Sequence, residues 1–219
     1  NYCNPDLQIL GVFLTKHNTK TRFSREVMDK PQSFIAFELL YWCGLRLDEM
    51  LALTPAEFDF KSNRVSVTKN YQRMHGEDVI TAPKTPKSVR AIVMPSFLAD
   101  EVIDFMKCIP DLCDFDRLVP TTKSFLHHEM DRGAKAAKVK RIRIRDLRHS
   151  HVSLLIELGY SPLAIADRLG HESTEVTMLY AHLFPNKQEG MADDLEVQRG
   201  TGMSSFDAVK PMNPSRDKE

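Results

Sequence analysis

The hydrophobic period of this chain changes from helical to alternating and back again, and that pattern limits its fold more than any other feature. Residues 32–43 carry Phe34, Ile35, Phe37, Leu39, Leu40 and Trp42, enough for a buried helix, and Gly44 is placed to end it. A short amphipathic stretch follows over 47–53. Thr54-Pro55-Ala56-Glu57 then reads as a cap, a first-turn proline and a capping-box acid. From Phe58 the period drops to that of a strand, over 64–69, 79–81 and 89–93, with Pro83 and Pro86 turning the chain between the last two. After Pro95 the helical pattern returns over 96–109, 123–137, 146–158, 162–169 and 174–182. The expectation is a mixed α+β fold, mainly helical, with a small three-stranded antiparallel sheet beside a helical bundle. Residues 1–199 are expected to form one domain. Residues 200–219, rich in Ser, Pro and Asn, are expected to form a disordered tail.

The charge sum points nowhere, because 30 basic residues face 30 acidic ones. Its distribution says more. Lys135, Lys138, Lys140, Arg141, Arg143, Arg145 and Arg148 follow one another with only Asp146 opposing them. Such a run is either a solvated surface or a phosphate-binding one. No apolar run is long enough to cross a bilayer, and the first residues lack a basic head and an apolar stretch, so a cytoplasmic protein away from membranes is expected. Cys3, Cys43, Cys108 and Cys113 have no metal-ligand spacing, and Cys43 in its apolar run reads as a buried reduced thiol.

Four separated segments hold the groups with chemistry. They are Gly44-Leu45-Arg46-Leu47-Asp48-Glu49, the turn around Lys84, Arg145-Asp146-Leu147-Arg148-His149-Ser150-His151, and the stretch from Leu169-Gly170-His171 to Tyr180. Their order and spacing over residues 39–184 resemble the catalytic domain of the tyrosine recombinases, the integrases of phages and conjugative transposons. That pattern is Gly-Leu-Arg-x-x-Glu, a hairpin Lys, His-x-x-Arg, Gly-His, and a Tyr nine residues after that His.

The resemblance implies an enzyme that cuts and rejoins DNA strands through a 3′-phosphotyrosyl intermediate, with no metal or organic cofactor. A nucleophile that stays attached to phosphorus conserves the phosphodiester energy for rejoining, and Tyr180 is the candidate. The transition state gathers negative charge on its equatorial oxygens, which suits permanently charged guanidinium forks; Arg46 and Arg148 are the candidate clamp. Lys84 is the candidate to support the departing 5′ oxygen, with Lys87 and Lys69 as rivals. His171 takes a phosphate-contacting role, and Glu49 a supporting place behind Arg46 or a neighbouring histidine. Arg145 departs from the pattern, standing where the family has His. It cannot act as a base in the working pH range, but as a catalytic candidate it can still donate to a phosphate oxygen and favour the phenolate. Retained but slower cleavage is therefore expected, with the phenol proton left to water, His171 or another group. His149 and His151 read as structural.

Contacts to double-stranded DNA are expected from Arg46, Lys84, Lys138, Lys140, Arg141, Arg143, Arg148 and His171. The resemblance also implies a tetramer on DNA that exchanges a C-terminal segment, for which residues 186–197 are the candidate, and a monomer without DNA. The family's N-terminal DNA-binding domain is expected to be missing. Two rival readings stand beside the recombinase. One is a catalytically silent DNA-binding module, suggested by Arg145 and the neutral charge. The other is a type IB topoisomerase-like nicking-closing enzyme, which the Gly-His-to-Tyr spacing disfavours. No Asp-Asp-Glu cluster supports a magnesium-dependent transposase.

Overall fold

The computed structural model describes residues 30–83 and 85–171; the expected helix over 174–182, the segment 186–197, the tail, Lys84 and Tyr180 lie outside the described residues. The described elements are α1 (Pro31–Trp42), α2 (Leu47–Leu51), β1 (Phe58–Asp59), β2 (Arg64–Val67), β3 (Asn70–Met74), β4 (Glu77–Thr81), β5 (Arg90–Val93), α3 (Ser96–Lys107), α4 (Lys123–Ala137), α5 (Ile144–Glu157) and α6 (Pro162–Leu169). The fold is mixed α+β, as the pattern of periods requires.

α1 is the central element. Ile35, Ala36, Phe37, Leu39, Leu40 and Tyr41 are all buried, as expected of a helix that is apolar all round. It packs against α3 and α5, and Trp42 meets Phe97 of α3 edge to face at 5.0 Å. Cys43 follows, fully buried, and burial pushes its thiol up to about 12, so it is an inert core group. Gly44 turns the chain with φ +61°, and a Cβ there would lie 2.6 Å from the His151 ring and 2.9 Å from Leu169. Only a glycine lets the backbone pass so close to α5 and α6.

The sheets differ in composition from the sequence expectation. β1, β2 and β5 form a three-stranded antiparallel sheet, whereas the strand expected at 79–81 belongs to a separate hairpin with β3. β3 carries a single buried apolar residue, Tyr71, so no alternation marked it as a strand. The hairpin turns at His75 and Gly76, both at positive φ, which suits the twist of a tight two-residue loop. In the larger sheet Val65 pairs with Ile92 and Val67 with Arg90, so these four share the inward face. Helix ends moved by one or two residues: the pattern at 96–109 ends at Lys107, and that at 146–158 runs from Ile144 to Glu157.

α6 has clear punctuation. Ser161 accepts a hydrogen bond from the Ala164 amide, Pro162 starts the first turn, and Gly170 closes the helix at φ +65°. A Cβ on Gly170 would meet the Lys87 carbonyl at 2.7 Å, so His171 emerges directly beside the turn before β5.

One buried carboxyl in the core has a measurable consequence. Glu38 on α1 is 4% exposed and accepts from Trp42 Nε1 at 2.7 Å; burial, then the charge of Glu101, push it up to about 8. The folded state therefore holds this proton more tightly than the unfolded chain does. Stability is expected to fall as pH rises from the ordinary carboxylate range through about 8. Glu38→Gln keeps an acceptor for Trp42 and removes that decline, read as the difference in urea midpoint between about pH 6 and about pH 9.

Candidate active site

Arg46 is the N-cap of α2, and Glu49 sits three residues on, at the position whose carboxylate reaches back to the cap. Glu49 accepts from the Arg46 amide at 2.9 Å and from its guanidinium at 2.7 Å. The carboxylate is 2% exposed, and below it lies Arg90, whose side chain is 7% exposed. Arg90 holds Glu49 with both terminal nitrogens, at 3.0 and 2.8 Å, and also donates to the carbonyls of Ser88 and Arg168 at 3.1 Å each. Burial alone would push the Glu49 carboxyl up. The bonds and charge of Arg90, the Arg46 amide and the charge of Arg148 outweigh it and hold the group at about 2. Glu49 is therefore a fixed anion, and it braces Arg46 together with Arg90.

Arg148, on α5, donates to the Gly44 carbonyl at 2.5 Å and to the Leu169 carbonyl at 2.8 Å. These carbonyls end the turn before α2 and the last turn of α6, so one guanidinium ties together the segments that present Arg46 and His171. Arg168 does the same from the other side, bonding the Trp42 and Val93 carbonyls at 3.2 and 3.1 Å and His151 Nε2 at 3.1 Å. His151 must therefore be a neutral acceptor, and burial, then Arg168 and Arg148, hold it down at about 3. It is structural, as its sequence context suggests.

Arg46, Glu49, Arg148 and His171 line one open groove of about 750 Å³, together with Asp48, His149, Asn70, Gln72, Thr81 and the turn residues Ala82, Thr85 and Ser88. Arg46 is 44% exposed there. His171 is held down at about 4 by burial and by Arg148, Arg46 and Arg90, against the pull of Glu49. It is uncharged at neutral pH, in a field that favours arriving negative charge. Ala82 and Thr85, on either side of Lys84, belong to the same wall.

Other sequence candidates fall elsewhere. Lys135, Lys138, Lys140, Arg141, Arg143 and Arg145 are exposed along the end of α4, the loop after it and the start of α5. Arg141 pairs with Asp131, and Arg143 caps α5 by gripping Asp146 at 3.0 Å. Arg145, with a side chain 67% exposed, is one turn before Arg148 and His149 on the same helix face but is not among the residues that line the groove. Two groups were missed. Arg90 was signalled by strand parity, since it lies two residues before the inward Ile92. His149 lines the groove, although its place after Arg148 read as structural. Among the described residues no cluster of three metal-ligating side chains occurs, and no helix is long and apolar enough to cross a membrane.

The model of the phage integrase family matches residues 14–187, which include all of this groove. The chain belongs to the phage integrase family. Its relatives include the ICEBs1 integrase of Bacillus subtilis, 32% identical over 217 residues that span 88% of this chain and 58% of the relative. The tyrosine recombinase XerC of Alcanivorax borkumensis is 30% identical over 67% of this chain and 46% of its own length. This phage-integrase-family chain thus spans about half the length of the curated relatives it matches. Among solved structures, the Tn1549 transposon integrase in complex with a circular intermediate DNA superposes with a TM-score of 0.67 at 20% identity, covering 91% of this chain and 68% of that one. The catalytic domain of bacteriophage HP1 integrase superposes with a TM-score of 0.55 at 18% identity, covering 87% and 92%. At such identities the likeness establishes the fold.

Proposed function

We propose that this chain is the catalytic part of a site-specific recombinase of a bacterial mobile element or phage, and that it cuts and rejoins double-stranded DNA through Tyr180. The observation that carries the reading is the gathering of Arg46, Arg148 and His171, from three separate stretches of chain, along one groove. The carboxylate at its floor is held in turn by Arg90.

In the proposed reaction Tyr180 Oη attacks phosphorus and loses its proton, the bond from phosphorus to the 5′ oxygen breaks, and that oxygen gains a proton. A 5′ hydroxyl of the partner strand reverses the step and frees the tyrosine. Arg46 and Arg148 donate to the non-bridging oxygens, where charge accumulates. His171 is uncharged at neutral pH, so it is able to accept a proton that Arg145 cannot. Lys84 is the donor proposed for the departing oxygen. Arg145 is proposed to donate to a phosphate oxygen and favour the phenolate, and Lys138, Lys140, Arg141 and Arg143 to follow the DNA backbone. Assembly on DNA as a tetramer, with a monomer in its absence, and action in the cytoplasm of a bacterial or phage-infected cell belong to the same proposal.

The reading is tested by trapping the cleaved complex, digesting it with protease and sequencing the peptide that stays on the DNA. A peptide containing Tyr180, joined to a 3′ phosphate, is expected. Linkage through another residue, or cleavage with no protein attached, overturns the reading.

A further inference from the structure

The β3–β4 hairpin forms a wall of the groove that the chemistry above does not use. Its two faces differ in kind. On one, Tyr71 is 1% exposed, its hydroxyl donates to Asp78 at 2.8 Å, and the Arg117 guanidinium lies 4.2 Å over its ring. Arg117 in turn bonds Asp78 at 2.7 Å, the Leu51 carbonyl at the end of α2 at 2.8 Å, and the Thr121 carbonyl at 2.6 Å. The hairpin is thereby fixed to the same short helix that carries Arg46 and Glu49.

The opposite face follows from strand parity and register. Residues two apart on β3 share a face, so Asn70 and Gln72 point together, with Thr81 directly across from Asn70. All three line the groove beside Arg46, Arg148 and His171. Among the described residues no hydrogen bond is made by either side-chain amide.

Neutral amides are poor phosphate clamps beside three arginine and histidine groups, but they pair a donor with an acceptor, which is what a base edge presents. Asn and Gln match adenine in particular, and a two-stranded ribbon fits a DNA groove. Side chains two residues apart along a strand are about 6.7 Å apart, close to two base-pair steps of about 3.4 Å. We infer that Asn70 and Gln72, held by the anchored hairpin, read base edges at two positions beside the cleaved phosphate and set part of the sequence preference. This inference rests on the recombinase reading above.

The test is a pool of nicked duplexes with randomised base pairs around the cleavage phosphate, incubated with the protein, Asn70→Ala or Gln72→Ala. The DNA recovered in covalent adducts is then sequenced. The protein is expected to favour adenine about tenfold at two positions two steps apart, the scale of one good amide–base pair. Gln72→Ala should flatten one of these preferences and Asn70→Ala the other, with the loss confined to substrates carrying the preferred base. Unchanged preferences in both variants overturn the inference, and so does a uniform loss across all sequences, which marks backbone contact. Failure of the protein itself to form any adduct sinks the recombinase reading, a result distinct from either.

Discussion

Arg148→Ala is expected to slow single-turnover strand cleavage by about 10²–10³-fold, the loss that follows removal of one preorganised donor from a developing oxyanion. Position strengthens the expectation, because the Arg148 guanidinium also bonds the Gly44 and Leu169 carbonyls and so aligns the segments bearing Arg46 and His171. Arg148→Lys keeps a charge but not a planar fork able to bond two carbonyls and a phosphate together, so it should recover little of the rate. Thermal melts of both variants separate misfolding from lost catalysis. A folded Arg148→Ala protein that cleaves within tenfold of the original would remove Arg148 from the proposed clamp.

The second large effect lies beneath the groove. Arg90 and Glu49 are both buried and face each other through two hydrogen bonds. Arg90→Met leaves the Glu49 carboxylate buried without its main partner, which should cost about 3–5 kcal/mol of folding stability. Arg90→Met combined with Glu49→Met removes the stranded charge and should be more stable than Arg90→Met alone, since well-packed apolar groups replace buried ion pairs at little cost. Cleavage should not return with stability, because Arg46 has lost the carboxylate that holds its side chain and its backbone amide. Urea unfolding of the single and double variants, read beside cleavage rates, checks both halves. A loss under about 1 kcal/mol for Arg90→Met would mean that the pair contributes no more than a surface one.

The helical half of the fold was legible because its signals are local. Residues 123–137 and 162–169 carry complete helical patterns, and the second adds Ser161, Pro162 and Gly170 at its ends; both helices have the expected bounds. The strands were harder, because the anchoring of β3 depends on Arg117, which is distant in sequence and stacks on Tyr71. Without that partner Asn70-Tyr71-Gln72-Arg73-Met74 reads as a polar loop. In the groove, Arg46, Glu49, Arg148 and His171 were legible as a spacing pattern, and the structure brings them together. Arg90 was hidden for a different reason. An arginine in a strand reads as exposed unless its parity with Ile92 is followed and a buried carboxylate is available, and Glu49 supplies one from 41 residues away.

The central claim is that Tyr180 forms the covalent bond to DNA. The measurement that tests it most directly uses a duplex nicked just beyond a candidate cleavage phosphate, so that the cut end diffuses away and the intermediate accumulates. The protein and its Tyr180→Phe variant are incubated with it and run on a denaturing gel. The account predicts a DNA-linked band for the protein and none for Tyr180→Phe, with both binding the duplex equally. A linked band that survives in Tyr180→Phe would contradict it, as would a protein that binds its own junction sequence and yet never becomes attached.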